Sequence, residues 1–202
     1  FAADNCNPEL CFKFAGCADF TAHGQSQQID TLSVIDDGKN VLVNVNDCPI
    51  ELAQSPLQDI KNQYEQINVL LTGYSGAGSY PQCFENLNLE EKINTSQIMR
   101  KKFLNQAIKY IDEIKPNYYL PIAGTYSLTG KLTNLQSLRS VSNVDDAYTF
   151  FENYYSLKDL SNSIRALKLN QDCTFDLNTK EYDKNYKKMD YNKYQSYLDS
   201  VL

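Results

Sequence analysis

The sequence predicts an α/β (α+β) fold with a mostly helical C-terminal extension, and three observations carry that expectation. Two β-rich segments flank an Asp-Gly turn at Asp37-Gly38, the pattern of a hairpin. Short apolar runs of strand length then alternate with stretches of helical periodicity, as in a sheet covered by helices. A 202-residue chain with 42% apolar side chains is large enough for one packed core, which excludes miniproteins held only by disulfides or a metal.

The elements follow in order. Asn7, Pro8 and Glu9 with the later Gly16 match an N-cap, a first helical position, an acidic first turn and a stop, and predict a short helix there. Residues 29–35 and 41–46 form the hairpin strands. Residues 55–64 predict a helix and 67–71 a strand ending in Thr72-Gly73. The loop from Tyr74 to Pro81 carries glycines after a strand, as a phosphate cradle does, but no Gly-Lys-Ser/Thr follows and no helix opens. Residues 89–115 carry helical spacing from Ile98 onward and stop at Pro116. Residues 117–122 predict a buried strand and 144–155 another helix. Residues 165–177 are weakly strand-like, and 182–202 predict a polar helix rich in Tyr and Lys. The division expected is a main portion over 1–155 and an extension over 156–202.

Charge and cysteine usage narrow the partners. Nineteen basic side chains against 25 acidic ones give a net charge of −6, without the one-sided Lys/Arg surplus that phosphate neutralisation needs, so nucleic acid is not expected as a main partner. Lys184, Lys187 and Lys188 read as a solvated helix face. No apolar run nears the roughly 18 residues of a membrane span, so no membrane partner is expected. Cys6, Cys11, Cys17, Cys48, Cys83 and Cys173 lack the close pairing of a secreted scaffold or a zinc hook, which predicts reduced thiols and a cytoplasmic location. The start at Phe1, with no initiator Met and no leader pattern, reads as a piece of something longer.

Two residues stand out chemically. His23 is the one histidine and precedes the hairpin, whereas Asp47 closes the hairpin's second strand between Asn46 and Cys48. An imidazole and a carboxylate on loops at neighbouring strand ends have the ligand types and the placement of a hydrolytic metal site.

The order of His23 and, about two dozen residues on, a strand-end Asp47 resembles the third and fourth metal-ligand positions of the metallo-β-lactamase superfamily. Asp30-Thr31, Asn44-Val45-Asn46-Asp47-Cys48, the loop from Ser75 to Pro81 and the run from Tyr119 to Tyr126 resemble the later part of CMP-N-acetylneuraminate hydroxylase and its bacterial relatives. The likeness runs from about residue 19 to about residue 183. It implies part of a layered αβ/βα sandwich with zinc or iron at its mouth, His23 and Asp47 serving as metal ligands and catalytic residues. It also implies a sugar or nucleotide-sugar substrate, with Tyr74, Ser75, Gly76, Tyr80, Gly124 and Tyr126 as its contacts.

Several features depart from the family pattern. The His-x-His-x-Asp-His signature is absent, the strand end Pro121-Ile122-Ala123-Gly124 lacks the last histidine of the usual hydrolases, and no Rieske Cys/His pairs occur. Two ligands fall short of the three protein ligands a catalytic zinc takes. The expectation is therefore a metal-dependent hydrolase or oxygenase when joined to a missing N-terminal half. Its alternative is a metal-free structural, glycan-binding or partner-binding descendant. If half the sandwich is missing, an unpaired sheet face predicts self-association into a homo-oligomer or binding of that half.

Overall fold

The computed structural model describes residues 2–7, 10–16, 31–160 and 163–201. Seven strands form one sheet in chain order: β1 Ala2–Asn7, β2 Leu10–Gly16, β3 Thr31–Asp36, β4 Val41–Asn44, β5 Val69–Gly73, β6 Tyr118–Ile122 and β7 Arg165–Ala166. The first four pair antiparallel, whereas β4 through β7 run parallel. The result is the mixed α+β architecture expected.

The first two strands replace the helix expected at residues 7–16. Leu10, Phe12 and Phe14 alternate with Cys11, Lys13 and Ala15, the period of a strand. A ladder from Cys11↔Asp36 to Gly16↔Thr31 joins β2 to the hairpin. A helix that short is marginal alone, so ladder bonds to an existing strand outweigh a local cap signal.

The hairpin forms where the turn chemistry places it. Asp37 Oδ1 accepts from the amides of Lys39 (2.9 Å) and Asn40 (2.6 Å), and Asp36 Oδ1 accepts from Gly38 N at 2.8 Å. Gly38 takes φ +81°, which glycine adopts without steric cost. The second strand ends at Asn44 rather than residue 46, because Asn44 Oδ1 accepts from Asn46 N and bends the chain there.

Three helices cover one face of this sheet: α1 Gln54–Gln63, α2 Leu89–Ile114 and α3 Val144–Leu157. Asn88 and Glu91 form a reciprocal capping box at the start of α2, and Lys115 ends it in a left-handed conformation before Pro116. Leu32, Val34, Val43, Leu70 and Tyr119 point into this layer, where Leu57, Ile60, Ile111 and Phe151 meet them. On the other face Val69, Tyr118 and Leu167 form a smaller cluster. Phe175 and Leu177 cover it from a short hairpin, β8 Phe175–Asp176 with β9 Glu181–Tyr182.

The stretch after residue 155 is less helical than expected. It gives β7 to the main sheet and Ile164 to the core, then forms the small hairpin. Its helix, α4 Tyr191–Ser200, starts well after residue 182, where Asp190 accepts from the amides of Asn192 and Lys193. Among the described residues no disulfide joins Cys48, Cys83 and Cys173, and no helix is long and apolar enough to cross a membrane.

Candidate functional site

Parallel strands bring their C-terminal ends to one edge, and the loops that follow gather there. After β4 come residues 45–48, after β5 residues 74–82, and after β6 residues 123–126.

Asp47 sits at the centre of the first loop. Its backbone is left-handed, with φ +64°, a conformation that disfavours side chains other than Asn and Asp. The carboxylate is exposed, and its Oδ2 accepts from Asn46 Nδ2 at 2.8 Å. The loop is fastened at both ends: Val45 N donates to Leu71 O at 3.0 Å, and the buried Tyr110 hydroxyl of α2 donates to Cys48 O at 2.8 Å. Asp47 is thereby held over a cavity of about 170 Å³ shared with Asn46, Gly73, Ser75, Phe103 and Gln106.

Glycine keeps this mouth open. A Cβ on Gly73 would stand 2.7 Å from Asn46 Oδ1, and one on Gly76 would stand 2.6 Å from the Phe103 ring. The loops after β5 and β6 are tied together, as their placement at one edge requires. Ser75 Oγ donates to Ala123 O at 3.2 Å, the Tyr126 hydroxyl donates to Gly78 O at 3.0 Å, and Gln82 Nε2 donates to the Tyr126 hydroxyl at 2.6 Å. Burial pushes the Tyr126 hydroxyl above its ordinary pKa, against the lowering effect of the Gln82 bond.

The expected contacts separate into different roles. Asp47 and Ser75 line the cavity, and Gly76 backs it. Tyr74 does not offer a face to a ligand. Its ring is 3% exposed and packs over Gly124, and its hydroxyl lies 3.2 Å from Thr125 Oγ1. Burial raises its pKa, so the phenol stays protonated inside the loop cluster. Gly124 therefore makes room for Tyr74, not for a substrate. Tyr80 is exposed but leans edge-on against Phe84 and does not line this cavity. His23 lies outside the described residues.

Sequence reasoning missed Gly73, Phe103, Gln106 and Tyr110. The three α2 residues stand at i, i+3 and i+7, one stripe of a helix, so the signal was present. What it faces is set by the fold.

A metal ion does not fit the described residues by themselves. No three His, Cys, Asp or Glu side chains converge among them, and Asp47 is the one acid lining the cavity. The Cys48 thiol is buried and turned to Pro49 O at 3.7 Å. What lines the mouth is a carboxylate with amides and hydroxyls, groups suited to hydrogen-bonding a ligand's own hydroxyls.

No family model matches the chain, and no curated protein matches it. Among solved structures it is similar to a mutant of CmlA beta-hydroxylase, with a TM-score of 0.41 and 11% identity over 82% of this chain and 31% of that one. The chain thus spans less than a third of that protein, and a likeness of this size transfers no residue role.

Proposed function

We propose that the protein is a portion of a metal-dependent hydrolase or hydroxylase acting on a sugar or nucleotide-sugar at the Asp47 mouth. The observation that supports this is the placement of Asp47 itself. An exposed carboxylate is held at a left-handed position, at the end of a central parallel strand, over a cavity that Gly73 keeps clear. At about 170 Å³ the cavity is smaller than the roughly 300 Å³ minimum of sites that enclose a ligand. It admits the reacting group of a substrate, with the remainder over the loops after β5 and β6. The reading requires His23 and donors from outside the described residues to complete the metal's ligand set.

Titration with Zn²⁺ and Fe²⁺, combined with metal analysis of the purified protein, tests the reading. Weak binding is expected, lost in Asp47→Ala and in His23→Ala, because two ligands hold a metal poorly. Equal metal content in parent and both variants would refute it. A second reading, metal-free glycan binding, draws on the amides and hydroxyls of Asn46, Thr72, Ser75 and Gln106 around the same cavity. It predicts monosaccharide binding that survives chelation.

A further inference from the structure

A cavity of about 800 Å³ lies at the opposite end of the sheet from Asp47, where β5, β6 and β7 begin. Four cationic side chains line it: Lys115, Lys158, Arg165 and Lys180. One carboxylate accompanies them. Asp112 accepts from Tyr154 at 2.8 Å, from Tyr155 at 3.2 Å and from Lys158 at 3.0 Å, so its acceptor capacity is largely taken. Among the described residues Lys115, Arg165 and Lys180 have no carboxylate at salt-bridge distance. In a chain of net charge −6, this is a concentration of unneutralised positive charge in a concave site.

The helix ends account for part of it. The C-termini of α2 and α3 lie here, each with roughly half a negative charge, which suits Lys115 and Lys158. Arg165 and Lys180 belong to neither helix. Arg165 comes from β7, with its guanidinium 5.4 Å from the Tyr118 ring centre, and Lys180 comes from the turn between β8 and β9. Two of the four cations also stand where a side chain is disfavoured: Lys115 has φ +51° and Lys180 φ +62°. Glycine or asparagine is the favoured residue in that conformation, so local sterics do not explain lysine at either place.

We infer that this cavity binds a phosphate-bearing small molecule, its anionic group between Lys180, Arg165 and Lys115 and its uncharged body on Leu160, Ile164 and Leu177. The volume lies within the range of small-molecule sites. Four cations against one engaged carboxylate and about one charge from two helix ends leave an excess suited to a dianion or a more highly charged group. The inference does not depend on the Asp47 mouth, which lies across the sheet.

The test is calorimetric titration of the full chain with inorganic pyrophosphate and, separately, with AMP, at low and at moderate salt. Saturable binding that loosens as salt rises is expected for at least one probe. Tighter AMP binding assigns a nucleotide, and tighter pyrophosphate binding assigns a free polyphosphate. The variant Lys115→Gly/Lys180→Gly removes two charges and also relieves two left-handed side chains, so its thermal midpoint should hold or rise while affinity falls at least tenfold. Asp47→Asn, at the far end of the sheet, should bind like the parent. No saturable binding of either probe, or parent-like affinity in the double glycine variant, or loss of binding in Asp47→Asn, overturns the assignment.

Discussion

Gly124→Ala isolates the contact that joins the two loops of the Asp47 mouth. Gly124 is not among the residues with positive φ, so on backbone grounds alone alanine should stabilise the protein by about 0.4–1 kcal/mol. The surroundings reverse that sign. The added Cβ would fall within the ring of Tyr74, itself 3% exposed and boxed in by the loop cluster. Forcing that ring aside costs about 1–3 kcal/mol of overpacking, and losing the Thr125 bond costs about 1 more. The net expectation is destabilisation of about 2–3 kcal/mol. With a urea m-value near 2 kcal/mol/M, the unfolding midpoint should fall by roughly 1 M or somewhat more. Gly78→Ala, where a Cβ meets nothing within 4 Å, should hold the midpoint or raise it by a few tenths of a molar, about the backbone effect alone. In a Tyr74→Ala background Gly124→Ala should cost little, the non-additivity expected of two residues that compete for one space. A Gly124→Ala midpoint indistinguishable from the parent would refute the packing of Tyr74 over Gly124.

Three further expectations concern the rest of the fold. Asp145, buried in the first turn of α3, accepts from the hydroxyls of Tyr186 (2.8 Å) and Tyr191 (3.1 Å) and from Met189 N (3.2 Å). Asp145→Ala should lower stability by about 2–4 kcal/mol and speed proteolytic cleavage within residues 183–200, and unchanged cleavage there would count against the tether. Arg100 donates from Nε and Nη2 to the carbonyls of Arg139 and Ser137 at 2.6–2.9 Å, so Arg100→Met should cost about 2 kcal/mol in urea unfolding, and a neutral result would deny these bonds any structural weight. Burial holds the hydroxyls of Tyr119, Tyr148 and Tyr155 well above the ordinary tyrosine range. The unfolded chain releases those protons near pH 10 while the folded chain keeps them, so stability should be full below about pH 10 and decline above it. Each of the three contributes about 1.4 kcal/mol per pH unit. Urea unfolding at pH 9, 10 and 11 checks the slope, and a flat profile would contradict the burial.

What the amino-acid sequence determined by itself was the set of elements whose signals lie within a few residues of one another. The Asp36-Asp37-Gly38 turn bonds its own backbone, the Asn88/Glu91 box opens α2, and Lys115-Pro116 closes it; each would specify the same local geometry in many surroundings. Parallel strands with helical crossovers place their following loops at one edge, and Asp47 and Ser75 accordingly line one cavity.

Tertiary structure decided everything that depends on competition between distant groups. The sequence over residues 7–16 carries both a cap-and-stop pattern and a strand alternation, and the ladder from β2 to β3 selects the strand. Tyr74 could have offered its ring to a ligand, but Gly124, fifty residues on, leaves a slot that buries it. Lys115, Lys158, Arg165 and Lys180 are unremarkable along the chain, and they become a charged cavity only because two helix ends, one strand start and one hairpin turn meet at the same edge. Burial and electrostatic fields sum over neighbours in space, whereas caps and turns are satisfied by neighbours in sequence, and that difference separates what could be read from the chain from what its packing supplied.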